Sequence, residues 1–284
     1  MNSNLIQIRE HQKNSWNSFS EGWRKWDDFT MEFLDEQGQY MISELNLKPT
    51  DKVLDIASGT GEPGLTIAAS VNQGGLVIAT DLSENMLKMA EIKAQTTSLN
   101  NFKVQVADAC NLPFEDNTFD AISCRLGFMF FPDMQLAAEE MLRVLKPGGK
   151  LVTTVWAEPV KNNWITSILG VLKNHSLELP IPDPKGPSLF RCATPGILKG
   201  IFEKLGATKF KETEINGTMN CKTAEDYWEF MNDVVPPVVA ALRTADNNIL
   251  LKVKQDVFKS YEQSMINCEP FNYSARLFAI NKSV

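Results

Sequence analysis

Histidine occurs only twice in a chain of 284 residues, at His11 and His175. The five cysteines, Cys110, Cys124, Cys192, Cys221 and Cys268, stand singly, and no Cys-x-x-Cys pair occurs. This leaves no ligand set for a zinc site, so no metal is expected. An odd, unclustered set of thiols suits a reducing compartment. Basic tracts are missing as well. The net charge is −7, and no lysine- or arginine-rich run is present to neutralise a phosphate backbone, so nucleic acid is not an expected partner. No apolar run approaches the roughly 20 residues that cross a bilayer. Met1-Asn2-Ser3-Asn4 does not open a basic region followed by an apolar stretch, so no signal peptide is expected. The expectation is a soluble, cytoplasmic protein without a membrane span; the sequence leaves its oligomeric state open.

With 43% of its residues hydrophobic, the chain can build one large domain with a core, or a domain plus a cap. One stretch organises it: Val53-Leu54-Asp55-Ile56-Ala57-Ser58-Gly59-Thr60-Gly61-Glu62-Pro63-Gly64. A short apolar run meets a loop of small residues, and Pro63 stands where a helix would begin. This predicts strand, tight turn and helix N-terminus, with free N–H groups facing a ligand. Gly59-x-Gly61-x-x-Gly64 fits a dinucleotide fingerprint. Asp55, four residues before the first glycine, would repel a pyrophosphate and attract a cationic ligand. A tight turn without a ligand is the plainer alternative.

Downstream the pattern alternates. Strands are expected at Lys52–Ile56, Leu76–Thr80, Phe102–Ala107, Phe119–Cys124 and Lys150–Trp156. The helices between them begin near Pro63, after Ser83 and after Asp133, and the last is stopped by Lys146-Pro147-Gly148-Gly149. Such alternation with short connections implies an α/β fold with a doubly wound parallel sheet. After Trp156 the rhythm changes. Helices are expected over 158–173 and 194–205, an irregular excursion over 179–189, a strand over 207–215, one or two helices over 223–262 broken at Pro236-Pro237, and a last strand over 275–280.

Ligands of open α/β sheets bind outside the carboxyl ends of the strands. Asp55, Asp81 and Asp108 fall at or near the ends of strands one, two and three. Together with Ala107-Asp108-Ala109-Cys110-Asn111-Leu112-Pro113-Phe114, Phe119-Asp120-Ala121-Ile122 and Leu145-Lys146-Pro147-Gly148-Gly149, these segments resemble class I S-adenosylmethionine (SAM)-dependent methyltransferases over about residues 50–156. The Asp-Ala-x-x-Leu-Pro-Phe and Leu-Lys-Pro-Gly-Gly pieces look like the branch of the ubiquinone/menaquinone C-methyltransferases and related small-molecule enzymes. One departure stands out: Ala57-Ser58 replaces the usual Gly-Cys.

The resemblance implies a Rossmann-like sheet of strand order 3-2-1-4-5-7-6, with strand seven antiparallel, and SAM as cofactor. It implies that Asp81 accepts from the ribose hydroxyls. Asp108 would accept from the adenine amine while the N–H of Ala109 donates to the ring, and Leu82 and Met86 would flank the purine. Asp55 would face the methionine ammonium, the Ala57, Ser58, Gly59 and Gly61 turn would approach the sulfonium end, and Cys124 and Arg125 would close the site beyond strand four.

Methyl transfer from a sulfonium is an in-line displacement that depends on positioning and dryness, with a base required only if the acceptor holds its proton tightly. Phe128, Met129 and Phe130 are candidates for an apolar acceptor pocket or for core. Arg125 is a candidate for an anionic acceptor group, for a SAM carboxylate or for a structural salt bridge. His11 and His175 are candidate bases, Tyr40 a weaker one. The function expected is SAM-dependent methylation of a small, partly apolar metabolite. Two alternatives remain: a nicotinamide-dependent oxidoreductase, or a methyltransferase-fold protein that binds SAM without transferring methyl, as a cyclase, regulator or scaffold.

Trp16, Phe19, Trp23, Trp26, Phe29 and Phe33 recur every three or four residues, one face of a helix that Gly22 weakens. The stripe is read either as core, as a lid over the substrate pocket, or as a membrane-surface helix. The expected division is a helical lid segment over 1–48 and a SAM-binding domain over 49–284, with helical insertions at about 158–192 and 217–270.

Overall fold

The computed structural model describes residues 3–179, 183 and 186–284. Three helices, α1 (Ser3–Lys25), α2 (Asp27–Phe33) and α3 (Asp35–Leu45), precede the sheet. Strands β1 (Lys52–Ile56), β2 (Leu76–Asp81), β3 (Phe102–Val106), β4 (Phe119–Arg125) and β5 (Leu145–Trp156) then alternate with α4 (Gly64–Ser70), α5 (Glu84–Thr96) and α6 (Met134–Val144). The rest of the chain adds α7 (Asn163–Asn174), α8 (Ile197–Lys204), β6 (Thr208–Met219), α9 (Ala224–Val234), α10 (Pro236–Leu242), α11 (Asn247–Ile266) and β7 (Phe271–Asn281). The strands form one sheet in the order β3-β2-β1-β4-β5-β7-β6. The first five pair in parallel, and β7 runs antiparallel to both β5 and β6. This is the order and orientation that the resemblance implies.

The central strands are buried on both faces, as sheets covered by crossover helices must be. Neighbouring residues Val53 and Leu54 are both fully buried but belong to separate apolar clusters, because alternate side chains of a strand point to opposite faces. Ser83 caps α5 by accepting from the N–H of Met86. Asp133 caps α6 by accepting from Gln135 and Leu136. Such caps satisfy N–H groups that the helix itself leaves free.

The N-terminal stripe departs from one continuous helix. The chain bends at Trp26 (φ −102, ψ 19) and again at Leu34 (φ −106, ψ 10). Tertiary anchors hold the first bend: Trp26 Nε1 donates to Asp233 Oδ2 at 2.9 Å, and Lys25 Nζ lies 2.8 Å from both Asp233 and Glu229. Gly22 has a packing reason rather than a weakening one. A Cβ there would stand 2.3 Å from the carbonyl oxygen of Asp233, so only glycine lets α1 approach the end of α9. The expected boundary at residue 48 falls after α3, whose Met41 and Leu45 are buried in the same cluster as Val53 and Leu65.

Other boundaries move for identifiable reasons. Pro63 precedes α4 rather than opening it. Lys146–Gly149 belong to β5, because a bulge lets Phe119 pair with Leu145 and Ala121 with Lys150. β6 and β7 run on to Met219 and back to Phe271, since each supplies the other's ladder. A short 3-10 turn, Pro159–Lys161, precedes α7. The late helical stretch is three helices, and Pro236 opens the second of them, where its missing N–H costs nothing. Part of the expected excursion over 179–189 lies outside the described residues. No helix among the described residues is long and apolar enough to cross a membrane.

Candidate active site

Beyond the carboxyl ends of β1, β2 and β4 lies a cavity of about 1350 Å³, counting its open mouth. One wall is the turn after β1. Ala57 (φ 54), Gly59 (φ 54) and Gly61 (φ 112) all take left-handed backbone. Ala57 therefore occupies a conformation that costs an alanine more than a glycine. Ser58 N–H donates to Thr80 O at 3.0 Å and Gly61 N–H to Ser58 O at 2.8 Å, which fixes the turn between β1 and β2.

Asp81 stands at the cavity wall at the end of β2. Gly59 N–H donates to its Oδ2 at 3.0 Å and Ser83 N–H to its Oδ1 at 2.8 Å. Burial nonetheless pushes its pKa upward. Each carboxylate oxygen keeps a second lone pair for a ligand hydroxyl. Asp108 follows β3. Its Oδ1 accepts from Cys110 N–H at 2.9 Å. Its Oδ2 is buried without a hydrogen-bond partner, with Arg9 Nη1 at 3.8 Å. Ala57, Ser58, Gly59, Leu82, Met86, Ala109 and Arg125 also line the cavity.

Three residues expected to touch the cofactor lie off this wall. Asp55 is 0% exposed. Its carboxylate accepts from Ser123 Oγ at 2.6 Å and from Ser58 Oγ, and burial raises its pKa to about 6 against the pull of both hydroxyls. It braces the glycine turn from below and does not line the cavity. Gly61 turns inward, where a Cβ would meet Leu65 Cδ1 at 2.7 Å. Cys124 is fully buried, and burial pushes its thiol up to about 12. The acidic residue of the turn that lines the cavity is Glu62, whose Oε2 accepts from Thr66.

Arg125 faces the cavity and makes no hydrogen bond or close ion pair among the described residues. Burial lowers its pKa, opposed by the charges of Glu62, Asp55 and Asp27. The structural salt bridge is thus not its role. His11 is exposed and outside the cavity wall. His175 Nε2 pairs with Asp256 Oδ2 at 2.9 Å on α11, also away from the cavity. Tyr40 is exposed on α3.

The far side of the cavity is aromatic. Met129 and Phe130 line it, whereas Phe128 is core against Phe131 and Phe202. Trp16 packs edge-on to Phe130 with centroids 5.1 Å apart, and on Trp23 at 6.4 Å. Phe33 meets Trp164 at 5.4 Å and Phe230 at 6.4 Å. The stripe is therefore core on its flanks and cavity wall at Trp16, Trp23 and Phe33. Sequence reasoning missed Gln12, Thr30, Trp156, Trp164 and the Val234-Val235-Pro236 corner. The Pro236-Pro237 break was visible, but nothing in the sequence says that this break reaches the sheet's ligand edge.

The model of the ubiE/COQ5 methyltransferase family matches residues 6–165, more than half of the chain. A demethylmenaquinone methyltransferase of Staphylococcus haemolyticus is 37% identical over 121 residues, which is 43% of this chain and 50% of that protein. The matched stretch thus spans about half the length of such curated relatives. Among solved structures, the YcgJ protein of Bacillus subtilis superposes with a TM-score of 0.56 at 19% identity, covering 88% of this chain and 99% of that one. Phosphoethanolamine N-methyltransferase 2 of Haemonchus contortus, in complex with S-adenosyl-L-methionine, gives 0.52 at 21% identity, covering 87% of this chain and 52% of that one. At these identities the structural likeness speaks for the fold.

Proposed function

The chain belongs to the ubiE/COQ5 methyltransferase family, and on that premise we propose that it transfers a methyl group from SAM to a small, partly apolar acceptor. The observation that carries this reading is the continuity of the cavity, which joins the glycine turn and Asp81 at one end to an aromatic wall at the other. SAM supplies a methyl already activated on a sulfonium, so the protein's task is to align and to exclude water. Asp81, held by Gly59 and Ser83, accepts from the ribose hydroxyls. Asp108, whose Oδ2 makes no hydrogen bond of its own, accepts from the adenine amine, and Leu82 and Met86 cover the purine. Glu62 and Arg125, of opposite charge, suit the ammonium and carboxylate of the methionyl end. The aromatic wall holds the acceptor, and α1 with α2 covers the site and closes over it. The acceptor is a small molecule rather than nucleic acid, in keeping with the charge of −7. The five unpaired cysteines fit a cytoplasmic setting.

Titration calorimetry with SAM, S-adenosylhomocysteine and NAD tests this reading, followed by acceptor screening with methyl-labelled SAM. The first two ligands bind and NAD does not. Asp81→Ala weakens SAM by about 1.5–3 kcal/mol, the scale of hydrogen bonds to a charged group. Tight NAD binding without SAM binding would overturn it.

A further inference from the structure

Two polar atoms in the aromatic wall have no partner among the described residues: Trp23 Nε1 and Thr30 Oγ1. Both residues line the cavity. Thr30 is 1% exposed, so bulk water does not reach its hydroxyl in the way it reaches a surface threonine. The local chemistry makes this unusual. A helical serine or threonine ordinarily turns its hydroxyl back onto a carbonyl one turn earlier. Ser18, Ser20, Ser70, Thr96 and Thr166 do so here. Thr30 does not, although it lies within α2. The indoles give the same contrast. Trp26 donates to Asp233 and Trp164 to Asn162, while the buried N–H of Trp23 has no acceptor among the described residues. A buried donor without an acceptor is unfavourable, and native structures rarely keep one without a reason.

We propose that Trp23 Nε1 and Thr30 Oγ1 are specificity-determining groups that hydrogen-bond an oxygen of the methyl acceptor, a carbonyl, hydroxyl or oxyanion set on an otherwise apolar ring. The inference rests on the methyl-transfer reading of this cavity. The surrounding surface selects the ring: Trp16, Phe33 and Phe130 present only faces and edges of aromatic groups. Such a surface binds flat apolar molecules with little regard to orientation. Two donors at its margin, closed off from solvent, fix the orientation once an acceptor oxygen turns them outward, because a ring turned the wrong way leaves both unpaired. An analogue that lacks the oxygen pays the same penalty, which is how sites built on buried donors discriminate more sharply than apolar pockets do. Neither polar atom is hydrogen-bonded to the turn, Asp81 or Asp108, so cofactor affinity is expected to change little in either variant.

The test uses 1-naphthol and naphthalene as probes, titrated into the full chain loaded with S-adenosylhomocysteine. The wild-type protein is expected to bind 1-naphthol at least tenfold more tightly than naphthalene. Thr30→Val, a near-isosteric change that deletes the hydroxyl, is expected to weaken 1-naphthol about five- to tenfold and to leave naphthalene within twofold; Trp23→Phe, which removes the N–H together with part of the ring system, is expected to weaken 1-naphthol more than naphthalene. Thr30→Ser, which keeps the hydroxyl, is expected to restore the preference. S-adenosylhomocysteine affinity, measured on every variant, reports folding and the cofactor half of the cavity. Equal binding of the two probes by the wild type, or no binding of 1-naphthol, overturns the inference. So does an equal loss of both probes in the variants, which is the signature of packing. Failure of the wild type to bind SAM or S-adenosylhomocysteine would instead sink the methyl-transfer reading itself.

Discussion

Asp55 shows how a conspicuous residue can act at one remove. Its position beside the glycine turn is what a cationic ligand would select, yet its carboxylate is enclosed and held by Ser58 and Ser123. Burial raises its pKa from 3.8 to about 6, so the native state binds this proton more tightly than the unfolded chain does. The associated stability is complete below about pH 4 and is lost as pH rises to about 6. Thermal unfolding of the wild type and of Asp55→Asn, compared from pH 4 to pH 7.5, is expected to show the wild type losing ground to the variant across that window and holding constant above it. Parallel curves would mean that the carboxyl is not the titrating group. On the methyl-transfer reading proposed above, the ligand-facing role falls to Glu62, which lines the cavity. Glu62→Gln is expected to weaken SAM about tenfold, about 1.4 kcal/mol, while leaving 5′-methylthioadenosine, which lacks the amino-acid end, within twofold. Equal losses for the two ligands would assign Glu62 to the fold of α4, where it already accepts from Thr66.

Elements built from local signals were legible, and elements shaped by distant contacts were not. β1, β2 and the caps at Ser83 and Asp133 follow from short apolar runs and polar caps that lie next to them in the chain. The bend at Trp26 does not, because its cause, Asp233, lies more than two hundred residues away. The same contact holds α1 in place, and so bears on the closing motion proposed for it. Lys25 and Trp26 converge on Asp233, and Gly22 packs on its backbone. Asp233→Ala is expected to raise the rate of tryptic cleavage after Lys25 about tenfold without unfolding the sheet, and S-adenosylhomocysteine is expected to slow that cut. Rates that respond to neither change would make α1 a fixed wall rather than a cover.

At the scale of the whole molecule, the strand order and the antiparallel β7 were legible only through the resemblance of residues 50–156. The strand-end wall of the cavity was legible with them in part, since Ala57, Ser58, Gly59, Asp81 and Asp108 line it from strand-end positions while Asp55, Gly61 and Cys124 do not. The acceptor half was not, because it is assembled from α1, α2, the end of β5, α7 and the α9–α10 corner, segments with no common local pattern. Trp16 and Trp23 were visible as a stripe, but Thr30 was hidden among ordinary helical residues. The claim that binds these scales together is that one cavity seats the cofactor against β1 and β2 and leaves its sulfur facing the aromatic wall. A crystal structure of the protein with S-adenosylhomocysteine tests it most directly. The expected result has both ribose hydroxyls on Asp81, the adenine amine on Asp108, the amino-acid end between Glu62 and Arg125, and the sulfur open toward Trp16 and Phe130. An adenosine bound elsewhere, or seated with its sulfur turned away from those rings, would contradict it.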